Sequence, residues 1–346
     1  MKNTVFIATV LAVLLSVACA PKDRTLTFRA DGTFKILQLT DLHLQLFHPD
    51  QVADVFARLD SLVRWEDPDL ITVTGDLVYS TPADSIMQPI VDRLDSYKRP
   101  WVVVYGNHDH EHGRTRAELA SLIVRSRHTL NTLAPSGILA DMEIPIFRTP
   151  GRASFYLYFM DSHAYSTDPV DYSNFSYAWF EPEQVRWVSE TAGKHPDTPS
   201  IAFFHIPFPE YAEAARTAGE PDPTRTIDLP GFKGIFGERV CCGKENTGMF
   251  DAMHDTGFIA TFCGHDHDND YAALFPTVMP DPDRASSNQI LLCYSRYSGS
   301  DGEYNHLPKG ARIIVLHTDG TLDTWIRQAD GIKVQNLSYF APNRPK

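Results

Sequence analysis

Apolar and polar positions follow two periods along this chain, and the two alternate. Short, nearly continuous apolar runs at 34–40, 69–74 and 101–105 predict strands. Between them, 51–65 carries Val52, Val55, Phe56, Leu59, Leu62 and Val63 at helical spacing. Segments 84–97 and 114–127 read as further helices. The pattern loosens afterwards. An aromatic-rich strand is expected at 154–160, its run Phe155 to Phe159 more suited to a sheet core than to a binding platform. A helix opened by Pro182 reaches about Glu190, and strands follow at 201–204, 257–263, 289–294, 312–317 and 321–327. Asp319-Gly320 marks a hairpin turn between the last two. Residues 219–246, rich in Gly and Pro, predict a long surface loop. Alternating strands and helices argue a layered α/β domain with a buried parallel core.

The first residues do not belong to that pattern. Lys2 precedes an apolar run from Val5 to Val17, shorter than the roughly 20 residues a bilayer span requires. This reads as an export signal over 1–20, followed by a polar tether at 21–33, one domain at 34–330 and a tail at 331–346. Two processing routes fit. Ala18-Cys19-Ala20 suits an ordinary signal peptidase, whereas Ser16-Val17-Ala18-Cys19 resembles a relaxed lipoprotein box. The second is preferred, because it explains a cysteine just after the apolar run; Cys19 would then be lipidated and anchor the chain to a membrane. Either route places the protein outside the cytoplasm of a bacterium, in the periplasm or on a membrane.

Composition changes this picture little. An apolar fraction of 43% supports a sizeable core. The net charge of −13 disfavours nonspecific nucleic-acid binding, so no nucleic-acid partner is expected. Cys263 and Cys293 each lie in a strand-like run and are either disulfide partners or buried thiols. Adjacent Cys241 and Cys242 are too close to bridge each other comfortably.

The chemistry-bearing residues cluster just after strand ends: Asp41-Leu42-His43, Gly75-Asp76, Gly106-Asn107-His108-Asp109, His205, and Gly264-His265-Asp266-His267. Beyond the carboxyl ends of strands is where α/β sheets bind ligands. One such cluster is weak evidence, but five in series are not accounted for by solvated turns.

In this order and spacing the clusters resemble the calcineurin-like metallophosphoesterases, over about residues 34–328. Phe204-His205-Ile206-Pro207, His265 to Asp270 and Tyr294-Ser295-Arg296-Tyr297 are most similar to the purple-acid-phosphatase-like subgroup. The resemblance implies a four-layer α-β-β-α sandwich with two central mixed sheets. It implies one divalent metal on Asp41, His43, Asp76 and His267, and a second on Asp76, Asn107, His205 and His265, with Asp76 shared. It further implies that His108 faces the phosphate and that Asp109 orients its imidazole. The reaction implied is hydrolysis of a phosphate ester by a metal-bridging hydroxide. The expected substrate is a small phosphorylated molecule, with a phosphomonoesterase favoured over a phosphodiesterase or nucleotide hydrolase, and a non-catalytic binding lipoprotein less favoured. Two neutral-ligand-rich cations would leave the site about +1, enough to attract a phosphate. Mixed N and O donors suit Mn, Fe or Zn.

Tyr79 matches the tyrosine that ligates ferric iron in purple acid phosphatases, but His43 competes for its place. It is therefore expected to pack beside the site and donate to a carboxylate there. His110 and His112 are expected as exposed loop residues; His128, His163, His254 and His317 have no assigned role. Arg296 and Tyr297 either reach substrate or are solvated.

Overall fold

The apolar runs assort into two sheets whose faces alternate between two sides, as a period of two requires. The computed structural model describes residues 25–166, 176–277 and 289–339. In chain order the elements are β1 (Leu26–Thr27), β2 (Thr33–Leu39), α1 (Pro49–Glu66), β3 (Leu70–Thr74), α2 (Ala83–Ser96), β4 (Trp101–Val104) and α3 (Arg116–Ile123). Then come β5 (Met142–Thr149), β6 (Arg152–Phe159), α4 (Pro182–Ala192), β7 (Ser200–Phe203), α5 (Glu210–Ala215), β8 (Thr226–Leu229) and β9 (Phe232–Ile235). The rest are α6 (Met249–Asp255), β10 (Phe258–Cys263), β11 (Ala272–Phe275), β12 (Ile290–Tyr294), β13 (Gly310–His317), β14 (Leu322–Gln328) and β15 (Lys333–Tyr339).

One sheet has six strands in the order β15-β14-β13-β2-β3-β4, the other nine in the order β1-β5-β6-β7-β10-β12-β11-β9-β8. Both are mixed. β2, β3 and β4 run parallel, as do β6, β7, β10 and β12. Phe34 and Ile36 of β2 face a core between the sheets, together with Phe203, Phe262 and Leu291. Leu37 and Leu39 face the other way, against α1, α2 and α3. Ala202, Leu292 and Tyr294 face an outer core with residues of α4, α5 and α6. The result is the expected α-β-β-α layering, and it brings the carboxyl ends of both parallel runs to one rim.

Local chemistry sets the helix ends. Pro starts α1, and Asp67 closes it in the left-handed region at φ 45°. Thr115 and Glu118 form a capping box that starts α3 at Arg116. That helix ends at Ile123, four residues short of the predicted end at 127, and Leu130 N–H bonds Trp101 O instead.

Several expectations are corrected. Residues 219–246 are not one loop: β8 and β9 form a hairpin at the end of the nine-stranded sheet, turning at Pro230-Gly231 with Gly231 at φ 76°. Ile227, Phe232 and Ile235 bury its apolar positions. The tether contains β1, which pairs with Ile146 and Phe147 of β5. Within the expected tail, Lys333–Tyr339 forms β15 alongside β14. Strand β5 escaped notice because Pro145 interrupts its pattern; a proline is tolerated there because β1 extends only beside Ile146 and Phe147. Cys263 and Cys293 are free thiols. On neighbouring β10 and β12, Cys293 is level with Phe262, so Cys263 points to the opposite face. One thiol lies in the outer core and the other between the sheets, which rules out a bond without remaking the register. The leader at 1–20 lies outside the described residues. No described helix is long and apolar enough to cross a membrane.

Candidate metal centre

Each candidate side chain leaves its strand at once and turns sharply into the rim. Asp41, His43, Asp76 and His265 all hold left-handed backbone, at φ 51°, 44°, 52° and 82°. For residues with a Cβ this conformation costs about 1–3 kcal/mol each and persists only where the surroundings enforce it. Here they do. Asp41 N–H bonds Gly75 O at 3.1 Å and His43 N–H bonds Asp76 O at 3.0 Å, so the first two loops hold each other. His108 N–H donates to Asp76 Oδ1 at 2.9 Å.

Two glycines in these clusters have a steric reason. A Cβ on Gly106 would sit 2.0 Å from Asp76 Oδ1, and one on Gly264 would sit 1.8 Å from Thr40 Oγ1 and 2.9 Å from Asp41 Oδ2. Any side chain at either position would push a carboxylate out of the site.

The structure brings all the candidate ligands together. Asp41, His43 and His267 form one buried group, and Asp76, His205 and His265 form another; within each, the ligand atoms lie within 4.8 Å of one another. Asp76 Oδ2 lies 3.6 Å from His43 Nε2 and 3.1 Å from His205 Nε2, so one oxygen faces both groups. His267 Nε2 is 3.8 Å from Asp41 Oδ1. Asn107 Oδ1 is 3.2 Å from His205 Nε2, aligning the amide oxygen with the second group.

Backbone carbonyls aim the imidazoles. His205 Nδ1 bonds Thr74 O at 2.7 Å and His267 Nδ1 bonds Tyr304 O at 2.8 Å, which leaves each Nε2 as the inward nitrogen. Both ring nitrogens of His43, and Nε2 of His265, are buried without a hydrogen-bond partner. Buried polar atoms are rarely left so. Orphaned imidazole nitrogens beside buried carboxylates are a donor set that divalent transition metals fit.

The electrostatics of the protein alone are tense. Burial alone would raise Asp76, yet His205, His43 and His108 hold it well below the usual carboxylate range. Burial opposes charge on His205, but Asp76 and Asp41 lift its pKa to about 9. His265 is pushed down to about 3 by burial and by His205. Cations bound here would take over the neutralisation that His205 otherwise supplies.

Two expectations about neighbours are corrected. Asp109 does not orient His108. Its Oδ1 accepts from Leu77 and Val78 N–H at 2.7 and 3.2 Å, and its Oδ2 from Gly106 and Asp76 N–H at 2.8 and 3.1 Å. Asp109 is buried as a clamp between the second and third loops. Glu111 is the residue on His108, with Oε2 at 2.6 Å from Nδ1. Burial opposes charge on His108, but Glu111 and Asp76 raise it to about 9. Tyr79 packs beside His43 and His108 at ring separations of 5.3 and 5.2 Å, and the carboxylate that acts most on its hydroxyl is Glu303 rather than a candidate ligand. Glu303 and burial lift that phenol to about 12. Tyr79→Phe is therefore expected to leave metal content unchanged and cost little activity. Iron-loaded protein should show no visible band that this substitution removes; such a band would make Tyr79 a ligand.

His110 and His112 are half-buried rather than exposed, and His112 packs on Tyr79 at 5.2 Å. Arg296 and Tyr297 are buried rather than solvated, and the Tyr297 ring packs on His267 at 4.6 Å. Arg296 is buried on Asp270, and Tyr297 is buried with its hydroxyl on Ser300 O. Missed by sequence reasoning were Glu111, Tyr165 and Glu303. The three-residue spacing from His108 to Glu111 was the one available signal.

Residues 34–269 match the calcineurin-like phosphoesterase family. The chain belongs to that family. Among the relatives of this phosphoesterase is "Probable inactive purple acid phosphatase 28" of Arabidopsis thaliana, 30% identical, with 89% of this chain and 80% of that protein covered. Another is "Phosphatase DCR2" of Saccharomyces cerevisiae, 29% identical over 76% of this chain and 48% of its own length. Among solved structures, purple acid phosphatase PPD1 from yellow lupin is 11% identical, covering 88% of this chain and 53% of its own, with a TM-score of 0.48. This phosphoesterase thus has a purple-acid-phosphatase-like relationship and two candidate metal-holding groups that suggest a dinuclear centre.

Proposed function

We propose that this phosphoesterase is an active, exported phosphomonoesterase. The observation that carries the reading is the complete donor set: two buried groups facing one Asp76 oxygen, with His108 beside them. Asp41, His43, Asp76 and His267 would hold one divalent cation, and Asp76, Asn107, His205 and His265 the other; Mn, Fe or Zn suit these donors. When bound, such a pair supplies Lewis acidity for a water nucleophile and positive charge for a phosphate. His108, tied through Nδ1 to Glu111, presents its other nitrogen and would protonate the leaving oxygen. Export rests on Lys2 and the Val5–Val17 run, with Cys19 as the proposed lipid anchor and the periplasmic side of a bacterial membrane as the location.

A second reading, a non-catalytic metal-binding protein, is favoured by the names of three Arabidopsis thaliana relatives, each called "probable inactive". Metal-reconstituted protein assayed on a monoester, a diester and a nucleotide separates the readings. Monoester turnover well above the others supports the proposal; none on any ester, with both metals bound, supports the second. His108→Ala is expected to keep both metals and lose about 10²–10⁴-fold in kcat. Metal lost in step with activity would instead make His108 a ligand.

A further inference from the structure

We infer that Glu111 is a positioning residue for both halves of the site: one carboxylate oxygen sets the His108 ring, and the other, through Tyr165, sets the Asn107 amide. This deepens the proposed phosphoesterase reading and rests on it.

The chain of contacts is short and has a fixed direction. Asn107 turns Oδ1 toward His205 Nε2 at 3.2 Å, so its NH2 must point away. That NH2 donates to Tyr165 Oη at 2.9 Å. A phenol has one proton, and Tyr165 gives it to Glu111 Oε1 at 2.6 Å. The other oxygen, Oε2, lies 2.6 Å from His108 Nδ1. An ionised carboxylate accepts from both sides, whereas a neutral carboxyl would have to donate to one and break the direction. The carboxylate thereby specifies two things at once. Asn107 shows its oxygen to the second metal group, and His108 keeps one proton on Nδ1 against the carboxylate, so that Nε2 carries the proton the imidazolium can give to a leaving oxygen.

The local sequence makes this possible. Glu111 N–H bonds His108 O at 3.1 Å, closing a turn that folds the glutamate back over the histidine. Asp109 cannot serve, since backbone N–H groups already occupy its carboxylate. Glu111 and His108 are both partly open to solvent, at 32% and 28%, so the pair lies at the mouth rather than in the core.

Glu111→Gln and Tyr165→Phe separate the two arms. In Glu111→Gln, turnover of an alkyl phosphate, whose leaving oxygen needs a proton, should fall by about 10²-fold or more. Turnover of 4-nitrophenyl phosphate should fall less than about tenfold, because its leaving group needs little protonation. KM and metal content should barely change, because the glutamine Oε1 still accepts the Tyr165 proton and keeps the Asn107 arm. Tyr165→Phe should slow both esters equally and loosen metal by about 10–100-fold in a chelator competition, as losing an outer hydrogen bond does. A direct readout needs no turnover. The His108 Nδ1 proton should give a downfield NMR resonance in zinc-loaded protein, absent in His108→Ala and Glu111→Gln and kept in Tyr165→Phe.

Equal slowing of both esters in Glu111→Gln, an unmoved resonance, or unchanged metal retention in Tyr165→Phe would each overturn the inference. If loaded wild-type protein hydrolyses neither ester, the phosphoesterase reading fails on its own. The resonance and the chelator competition then still decide whether Glu111 positions these two side chains.

Discussion

Asp76→Asn is expected to lose both metals and hydrolysis together. The substitution keeps the shape of the side chain but removes the charge whose Oδ2 lies 3.6 Å from His43 Nε2 and 3.1 Å from His205 Nε2. Asp76 also accepts the His108 N–H through Oδ1, so the asparagine must turn one NH2 into a space built for acceptors. Losing a single stabilising donor at an active site costs roughly 10²–10³ in rate. Loss of the residue proposed to be shared by two cations should cost about 10³ or more in kcat/KM, beyond that single-donor range. The fold should survive, since its cores lie in the layers below the rim. Elemental analysis beside kinetics and circular dichroism checks it. Wild-type metal content in a folded Asp76→Asn, with turnover intact, would remove Asp76 from the centre.

Arg296→Met is expected to be the most damaging change outside the metal site. Arg296 is buried with its guanidinium on the Asp270 carboxylate and on Pro308 O at 2.9 Å. Asp270 Oδ1 also takes Ile235 N–H at 2.7 Å and Gln335 Nε2 at 2.8 Å, and its carbonyl takes Arg312 Nη2 at 2.7 Å. Through these bonds one residue ties β9 of the nine-stranded sheet to β13 and β15 of the six-stranded sheet, to β15 through its carboxylate and to β13 through its carbonyl. Removing one member of a buried pair strands the other charge and costs about 3–5 kcal/mol. Urea unfolding should show a drop of that size, without loss of metal from protein kept folded. Asp270→Asn combined with Arg296→Met should recover much of it, because the amide carries no charge to strand and its oxygen still accepts from Ile235 and Gln335. A drop below about 1 kcal/mol in the single variant would mean that the pair is weakly coupled to folding.

The ester-selective effect of Glu111→Gln, the His108→Ala loss and the mild Tyr79→Phe change complete the set of tests. They differ in kind: one separates leaving groups, one separates chemistry from metal, and one separates packing from ligation.

Much of the fold was legible because burial has a period. Phe34 and Ile36 face one core and Leu37 and Leu39 the other, a pattern that any strand covered on both faces must show. The clusters at strand ends were legible because each directly follows an apolar strand-like run, so position in the chain nearly fixed position at the rim. What stayed hidden has one cause. Arg296 follows a strand end and reads as solvated, yet it is buried because Asp270 arrives from another loop to meet it. Pro145 reads as a strand breaker, yet β5 forms because β1 leaves that position unpaired.

The same division runs through the site. The amino-acid order alone determined which residues stand at the carboxyl ends of the parallel strands, since hydrophobic periodicity acts within a few residues. Only the tertiary structure decided who touches whom among residues that stand close enough to compete. Asp109 is adjacent to His108 in the chain, but four backbone N–H groups from converging loops claim its carboxylate, and Glu111 takes the ring instead. Cys263 and Cys293 sit on neighbouring strands, but a one-residue offset turns them to opposite faces. Hydrogen-bond partners and strand register are set by distances through space, and those exist only once the two sheets have packed.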